Sequence, residues 1–378
     1  MNTRKTLFII APMEKYDSLM KIGIISLLFL TQHSYAQTSR NDFKEMEGAL
    51  YSYTITDDSD SLSSKVITEL RDDKGLPVWF SRDFFKEVCL TGECIMVRIK
   101  IYWTGTATYL GFQTPKNFPL TKTDHSEFSQ EDYKRLNKIL SDTLSILKEL
   151  KMEELTVKVI KEKQSDEEVD AITSATQPIL SDYVVKDAVY TCYTLWHTVY
   201  GETQKEIKSI LDKKASIQYL KLIFEHKNLE PQYICWAIDF IKRNPSYHPV
   251  FYHEILNLIK SDNINVSSKA TRYFTPEYLM DVETQIAIAK LVGVTSSQNK
   301  FEIFRNFSAV PKTSNEAILI ILEHYKNNKI SAGFMKYVCT LIKKENMKDI
   351  SITNELENLR KNENLYVKGL MEQHLKCL

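Results

Sequence analysis

The chain has 378 residues with 49 basic and 49 acidic side chains, and glycine supplies only 10 positions. A balanced charge carries no electrostatic footprint for nucleic acid or acidic lipid. Glycine stands well under its usual share of roughly 7%, and no GxGxxG or GxxxxGKS/T string occurs, which excludes the glycine-rich phosphate cradles.

The first predicted element is a secretory signal. Met20-Lys21 supplies a start and a positive charge, Ile22 to Leu30 is an unbroken apolar run, and Ser34-Tyr35-Ala36 presents small residues for a signal peptidase before Gln37. The run is short of the roughly 20 apolar residues that a membrane span needs. Residues 1–36 are therefore expected to be a signal peptide whose own start is Met20, and the chain is expected to be exported to the periplasm or the outer face of a membrane. No cysteine follows the apolar run at a cleavage position, which argues against a lipid anchor. About 340 residues follow, enough for two ordinary domains.

Residues 37–200 read as the first domain, of mixed α and β texture. Ala49 to Thr56 and Lys65 to Leu70 carry β-type runs. Ile95 to Trp103 alternates, with Val97, Ile99 and Ile101 against Met96, Arg98 and Lys100, and Thr104-Gly105-Thr106 turns it into a partner strand from Ala107 to Phe112. Ser129 and Asp132 have capping-box spacing, and Tyr133, Leu136, Ile139, Leu140, Leu144, Leu147 and Leu150 predict one helix with a single apolar face. A second helix is predicted from about Asp182 to Tyr200, with Val185, Ala188, Val189, Cys192, Leu195, Trp196 and Val199 on one face and Gly201 to end it. Cys89 and Cys94 flank a turn-like spacer suited to a small disulfide in an oxidising compartment. Cys192, Cys235 and Cys339 sit on apolar faces and are expected to pack as small hydrophobes.

Residues 201–378 read as an all-α second domain. Asparagine-led breaks at Asn228, Asn263, Asn328 and Asn364 precede apolar helical runs, about 36 residues apart with one shorter unit, the length of a helical hairpin. Hairpins of this kind bury their apolar faces by stacking. The period resembles that of a HEAT-like α-solenoid, with an irregular helical bundle as the alternative.

Val169-Asp170-Ala171-Ile172-Thr173-Ser174-Ala175-Thr176 is the one stretch with the pattern of a chemical motif. It resembles the flavinylation motif of the FMN-binding domain family, whose members include flavin-carrying components of the sodium-translocating NADH:quinone reductase and of the Rnf complex. Asp170, Thr173, Ala175 and Thr176 match in register, and Ser174 stands where the family has glycine. The resemblance implies that the Thr176 hydroxyl carries FMN through a phosphoester installed by a flavin transferase, with Asp170, Thr173, Ser174 and Ala175 around it. A glycine at such a position provides φ > 0 or a close backbone approach. By residue chemistry alone, the hydroxyls of Thr173, Ser174 and Thr176 lie just before the predicted helix, where they suit either an anion site or ordinary N-capping. Trp79, Trp103, Tyr190 and Trp196 are the aromatic candidates for covering a flavin ring.

The expected architecture is thus an α+β FMN-binding-domain-like half followed by an all-α HEAT-like repeat half. The expected function is electron transfer from a membrane or periplasmic redox protein, with the helical half docking a partner. The alternative is a non-catalytic extracytoplasmic interaction protein whose flavin domain is degenerate. Lys122, Asp124 and His125 form a third, hydrolytic candidate with no nucleophile motif behind it. His197 reads as a helix-surface or capping histidine, and His248 and His253 as a poor ligand pair. No CxxC or HExxH string occurs to frame a metal.

Overall fold

The computed structural model describes residues 35–37, 46–57, 60–90, 93–159, 173–176, 180–226 and 229–377. The apolar run Ile22 to Leu30, Asp170 and Asn228 lie outside them. The chain divides into two compact units, Met1–Thr104 with Thr108–Thr203, and Gly105–Ala107 with Gln204–Leu378. An antiparallel sheet is followed by a long succession of helices, so the α+β-then-α order expected from sequence is present.

The first unit is built on a meander. Strands β2 (Ala49–Thr54), β3 (Val66–Arg71), β4 (Pro77–Leu90), β5 (Glu93–Thr104) and β6 (Tyr109–Pro115) pair with their neighbours in chain order, and the short β1 (Tyr35–Gln37) joins the outer side of β6. The alternation read in β5 holds: Val97, Ile99 and Ile101 are buried and Arg98 is exposed. Tyr102 and Trp103 are both buried, on opposite faces of the sheet, where the β5–β6 register shifts between them. Trp103 is fully buried and donates Nε1–H to Val199 O at 3.0 Å, while Tyr102 packs edge-on to Trp79 on the other face.

β4 was hidden in the sequence because its inner face is not uniformly apolar. Phe80, Phe84 and Val88 alternate with Arg82 and Lys86, so the apolar positions recur every fourth residue and imitate a helix. The loop before β3 supplies the counter-charges: Asp57 pairs with Arg82 at 2.9 Å and Asp60 with Lys86 at 2.8 Å. Burial alone raises the Asp60 carboxyl, but Lys86 and Ser63 outweigh it and hold it below its ordinary range.

Two helices cover the sheet. α1 (Gln130–Ser141) starts with the expected capping box between Ser129 and Asp132 but stops at Ser141. The chain then turns through short 3-10 segments at Ile146–Lys148 and Met152–Glu154, so the single helix expected to reach Leu150 is corrected. Leu144, placed by periodicity on the apolar face, is 90% exposed. α2 (Val189–Val199) begins seven residues later than periodicity implied. Asp187 takes φ 59°, a left-handed conformation that no helix continues through.

The second unit takes over within the first turn of α3 (Glu202–Lys214) and continues through α4 (Ile217–Glu225), α5 (Pro231–Arg243), α6 (His248–Leu258), α7 (Ile264–Tyr273), α8 (Val282–Val292), α9 (Ser297–Ala309), α10 (Asn315–Lys326), α11 (Met335–Leu341), α12 (Ile350–Arg360) and α13 (Leu365–Cys377). From α4 onward each even helix packs on the odd helix that follows it. α5, α7, α9, α11 and α13 also stack in series, as do α8, α10 and α12. This alternation makes two layers. Asn263 and Asn364 accept the first amides of α7 and α13, as N-caps do. Ser296 caps α9, so one unit of the repeat lacked its asparagine in the sequence. Asn328 proves instead to end α10, with φ 57°, in the left-handed position that follows helix C-termini.

Polar side chains tie successive units together at repeat spacing. Asn299 Nδ2 donates to Ser267 Oγ at 2.6 Å, Asn306 Nδ2 to Phe274 O at 3.1 Å and Asn346 Nδ2 to Thr313 O at 3.0 Å. The partners are 32, 32 and 33 residues apart.

Candidate functional site

The motif residues form a strand. β8 (Thr173–Thr176) pairs antiparallel with β7 (Thr156–Val159), with Thr156 opposite Thr176, Val157 opposite Ala175, Lys158 opposite Ser174 and Val159 opposite Thr173. The side chains of these four motif residues, like the whole of Asp170, lie outside the described residues. α2 starts only at Val189, so Thr176 does not lead directly into that helix. The backbone of Thr173 to Thr176 is committed to a β ladder rather than to the first turn of α2.

The ladder also answers what Ser174 does in place of glycine. Paired strand residues are extended, a conformation that serine adopts without strain. A left-handed backbone is therefore not required at Ser174, and close approach is the one remaining reason for glycine there.

What positions the ribbon is one face of α2. Tyr190, Tyr193, Trp196, His197 and Tyr200 recur at helical spacing, and each grips the segment running from the end of α1 to β7. Tyr200 Oη donates to Leu140 O at 2.8 Å, Trp196 Nε1 to Asp142 O at 2.9 Å, His197 Nε2 to Leu147 O at 3.0 Å and Tyr193 Oη to Leu150 O at 3.2 Å. At the end of this series the Tyr190 and Thr156 hydroxyls meet at 3.2 Å. The helix and the segment run in opposite directions, so the bonds form a rack that delivers β7 to a fixed place. His197 is thereby a carbonyl-capping histidine, as its position beside the apolar face implied. Cys192 and Leu195 point the other way into the core, and burial pushes the Cys192 thiol up to about 12. Burial, then the charge of Asp142, pushes the Tyr200 phenol up to about 12.

Of the four aromatic candidates, Trp103 is fully buried and Trp196 nearly so, and Trp79 stands on the face of the sheet away from α2. Only Tyr190 borders the ribbon. Its ring also closes a crevice of about 20 Å³ with Val88, Ile95, Thr123, Ala188 and Thr191, room for a single water and too small for a ring system. Thr156 was not a candidate from sequence, since a threonine in a short β-type run has no distinguishing signal.

The half-buried hydroxyl pair fits an ester-linked phosphate on the opposite strand. Residues directly opposite in an antiparallel pair have Cβ atoms about 5 Å apart on a shared face. One hydroxyl proton is spent between Thr156 and Tyr190, leaving one O–H and several lone pairs free for a further partner.

The remaining candidates separate. Lys122 Nζ pairs with Asp132 at 2.9 Å, while Asp124 Oδ1 accepts from Ser126 N at 3.0 Å and Oγ at 2.6 Å. Each of these groups serves a turn or a cap, and His125 is exposed at φ 62°. Cys89 and Cys94 are register partners in the β4–β5 hairpin, with side chains outside the described residues. Cys192, Cys235 and Cys339 are free thiols, the first and last buried. His248 Nδ1 meets Tyr273 Oη at 2.7 Å and stacks on Tyr278 at 4.3 Å, away from His253 in role.

An open groove of about 410 Å³ lies between α6 and α8, lined by Leu256, Ile286, Ala287 and Leu291 with Glu283 and Lys290 at its rim. Among the described residues no His, Cys, Asp and Glu cluster suits a metal ion, and no helix is long and apolar enough to cross a membrane. No protein-family model, no curated protein and no solved structure matches the chain.

Proposed function

We propose that this chain is an exported electron-transfer protein whose first unit carries FMN on Thr176 and whose second unit is a HEAT-like array that docks a protein partner. The observation that carries the reading is the conjunction of Asp170, Thr173, Ala175 and Thr176 in motif register with a Thr176 backbone held opposite the Thr156–Tyr190 hydroxyl pair. The Oγ–phosphorus ester forms with loss of the elements of water relative to free FMN, and a flavin transferase installs it. The flavin supplies the redox chemistry, while the protein sets its position and exposure. The electron source is a membrane or periplasmic redox protein. The alternating stack of α4–α13 supports the array reading, and the apolar groove between α6 and α8 is its candidate docking surface.

Co-expression with a flavin transferase, followed by intact mass and the visible spectrum of the denatured chain, tests this. Yellow colour that stays with the unfolded chain, and is lost in Thr176→Ala, is the expected result. An unmodified chain under conditions that label a known substrate sinks the covalent reading.

Ser174 favours a second reading, an extracytoplasmic interaction protein with a degenerate flavin domain. If Ser174→Gly gains flavin while the wild type has none, the natural chain is a degenerate carrier.

A further inference from the structure

Tyr190 stands in the first turn of α2, and Thr156 opens β7. Their hydroxyls are 3.2 Å apart and half-buried, reachable from solvent. The other rack side chains from α2 each end on a backbone carbonyl, which their hydrogen bond satisfies. Tyr190 alone ends on another hydroxyl, so this pair keeps an unused O–H. That O–H lies beside the register position of Thr176 and on the same face of the ribbon.

On this ground, and resting on the flavin reading above, we infer that Tyr190 and Thr156 are the positioning pair for the phosphate of Thr176-linked FMN. The pair donates an O–H to a phosphodiester oxygen. The phosphate is the part of the cofactor nearest the attachment atom, and a hydroxyl donor to a charged oxygen makes a stronger bond than a neutral pair does. The pair thus fixes the first rotatable link between protein and flavin without touching the ring. Glu153 and Glu154 are nearby acids, but both are exposed, so water screens them from the phosphate.

The test uses the full chain co-expressed with a flavin transferase, as wild type, Tyr190→Phe, Thr156→Val and Thr156→Ser. The readouts are the flavinylated fraction at fixed time by intact mass and the phosphorus NMR shift of the attached phosphodiester, folded and in urea. Tyr190→Phe keeps the ring that closes the crevice, and circular dichroism verifies its fold. In Tyr190→Phe and Thr156→Val the folded-state shift is expected to move toward its value in urea. Their flavinylated fraction is expected to fall about three- to tenfold, the worth of one hydrogen bond. Thr156→Ser, which keeps the hydroxyl, is expected to behave as wild type. A labelled wild type with unchanged shift and labelling in Tyr190→Phe and Thr156→Val overturns this inference and leaves the flavin reading standing. A wild type that takes no flavin overturns both.

Discussion

The Arg82 guanidinium is fully buried on the inner face of the sheet, and Asp57 meets it at 2.9 Å from a loop that precedes β3. Thr203 Oγ1 accepts from the same Nη1 at 2.7 Å and Ser64 O from Nε at 2.7 Å. A cation in this position is tolerated because its counter-charge is buried with it. Asp57→Asn leaves the charge without a carboxylate and is expected to destabilise the chain by about 3–5 kcal/mol. Adding Arg82→Met to Asp57→Asn removes the orphaned charge and recovers part of that loss. Urea unfolding of both singles and the double measures the coupling, and strictly additive losses would show that there is none.

The second buried pair makes stability depend on acid. The Asp60 carboxyl is held below its ordinary value of 3.8 in the folded chain, so it binds protons less readily than in the unfolded chain. Its contribution is complete above that value and is lost as pH falls through the lower, folded one. Asp60→Asn is therefore expected to be less stable than wild type at neutral pH, with the difference shrinking below about pH 4. Urea midpoints at pH 7 and pH 3 check the sign. A difference that grows on acidification contradicts it.

In the helical unit Asn346 is fully buried and bonds to three neighbours: Nδ2 donates to Thr313 O and Asn315 Oδ1, and Lys343 N donates to its Oδ1 at 2.9 Å. Asn346→Leu keeps the branched outline with somewhat larger methyl groups and orphans these groups, at about 1–3 kcal/mol for each left unsatisfied. A drop in thermal midpoint well beyond that of an exposed control such as Asn354→Leu is the expected outcome.

The thiols should differ in reactivity. Cys192 and Cys339 are buried, and burial pushes their thiols up to about 12 and about 11. Cys235 is half-buried, and burial also raises its thiol. Because the thiolate is the nucleophile, maleimide at pH 8 is expected, among these three, to label Cys235 first and the other two only on unfolding. Peptide mapping after timed labelling reads the order, and labelling of Cys192 in the folded chain ahead of Cys235 would overturn it.

The parts of the fold that were legible in sequence are those where one signal acted alone. β5 alternates cleanly, and Ser129 with Asp132 forms a capping box whichever way the chain continues. β4 was not legible because Arg82 and Lys86 occupy inward positions that only the Asp57 and Asp60 loop makes acceptable. The start of α2 was placed too early because Val185 extends the apolar period across Asp187, whose backbone breaks the helix. Leu144 and Leu147 kept helical spacing past Asp142, although only Leu147 is buried. At the candidate site, Tyr190 was among the candidates as an aromatic. Its partner Thr156 was not, since a register between two short strands is set by the rack on α2 rather than by either strand.

The rack has a thermodynamic consequence. Trp196 and Trp103 both bond to the stretch between Asp142 and Val199, one from α2 and one onto its last turn. Anything that binds the β7–β8 ribbon only in its folded position adds its binding free energy to the anchoring of α2. Occupancy of the ribbon and the environment of two indoles are then linked quantities. The chain carries its own fluorescent gauge of whether that ribbon is held.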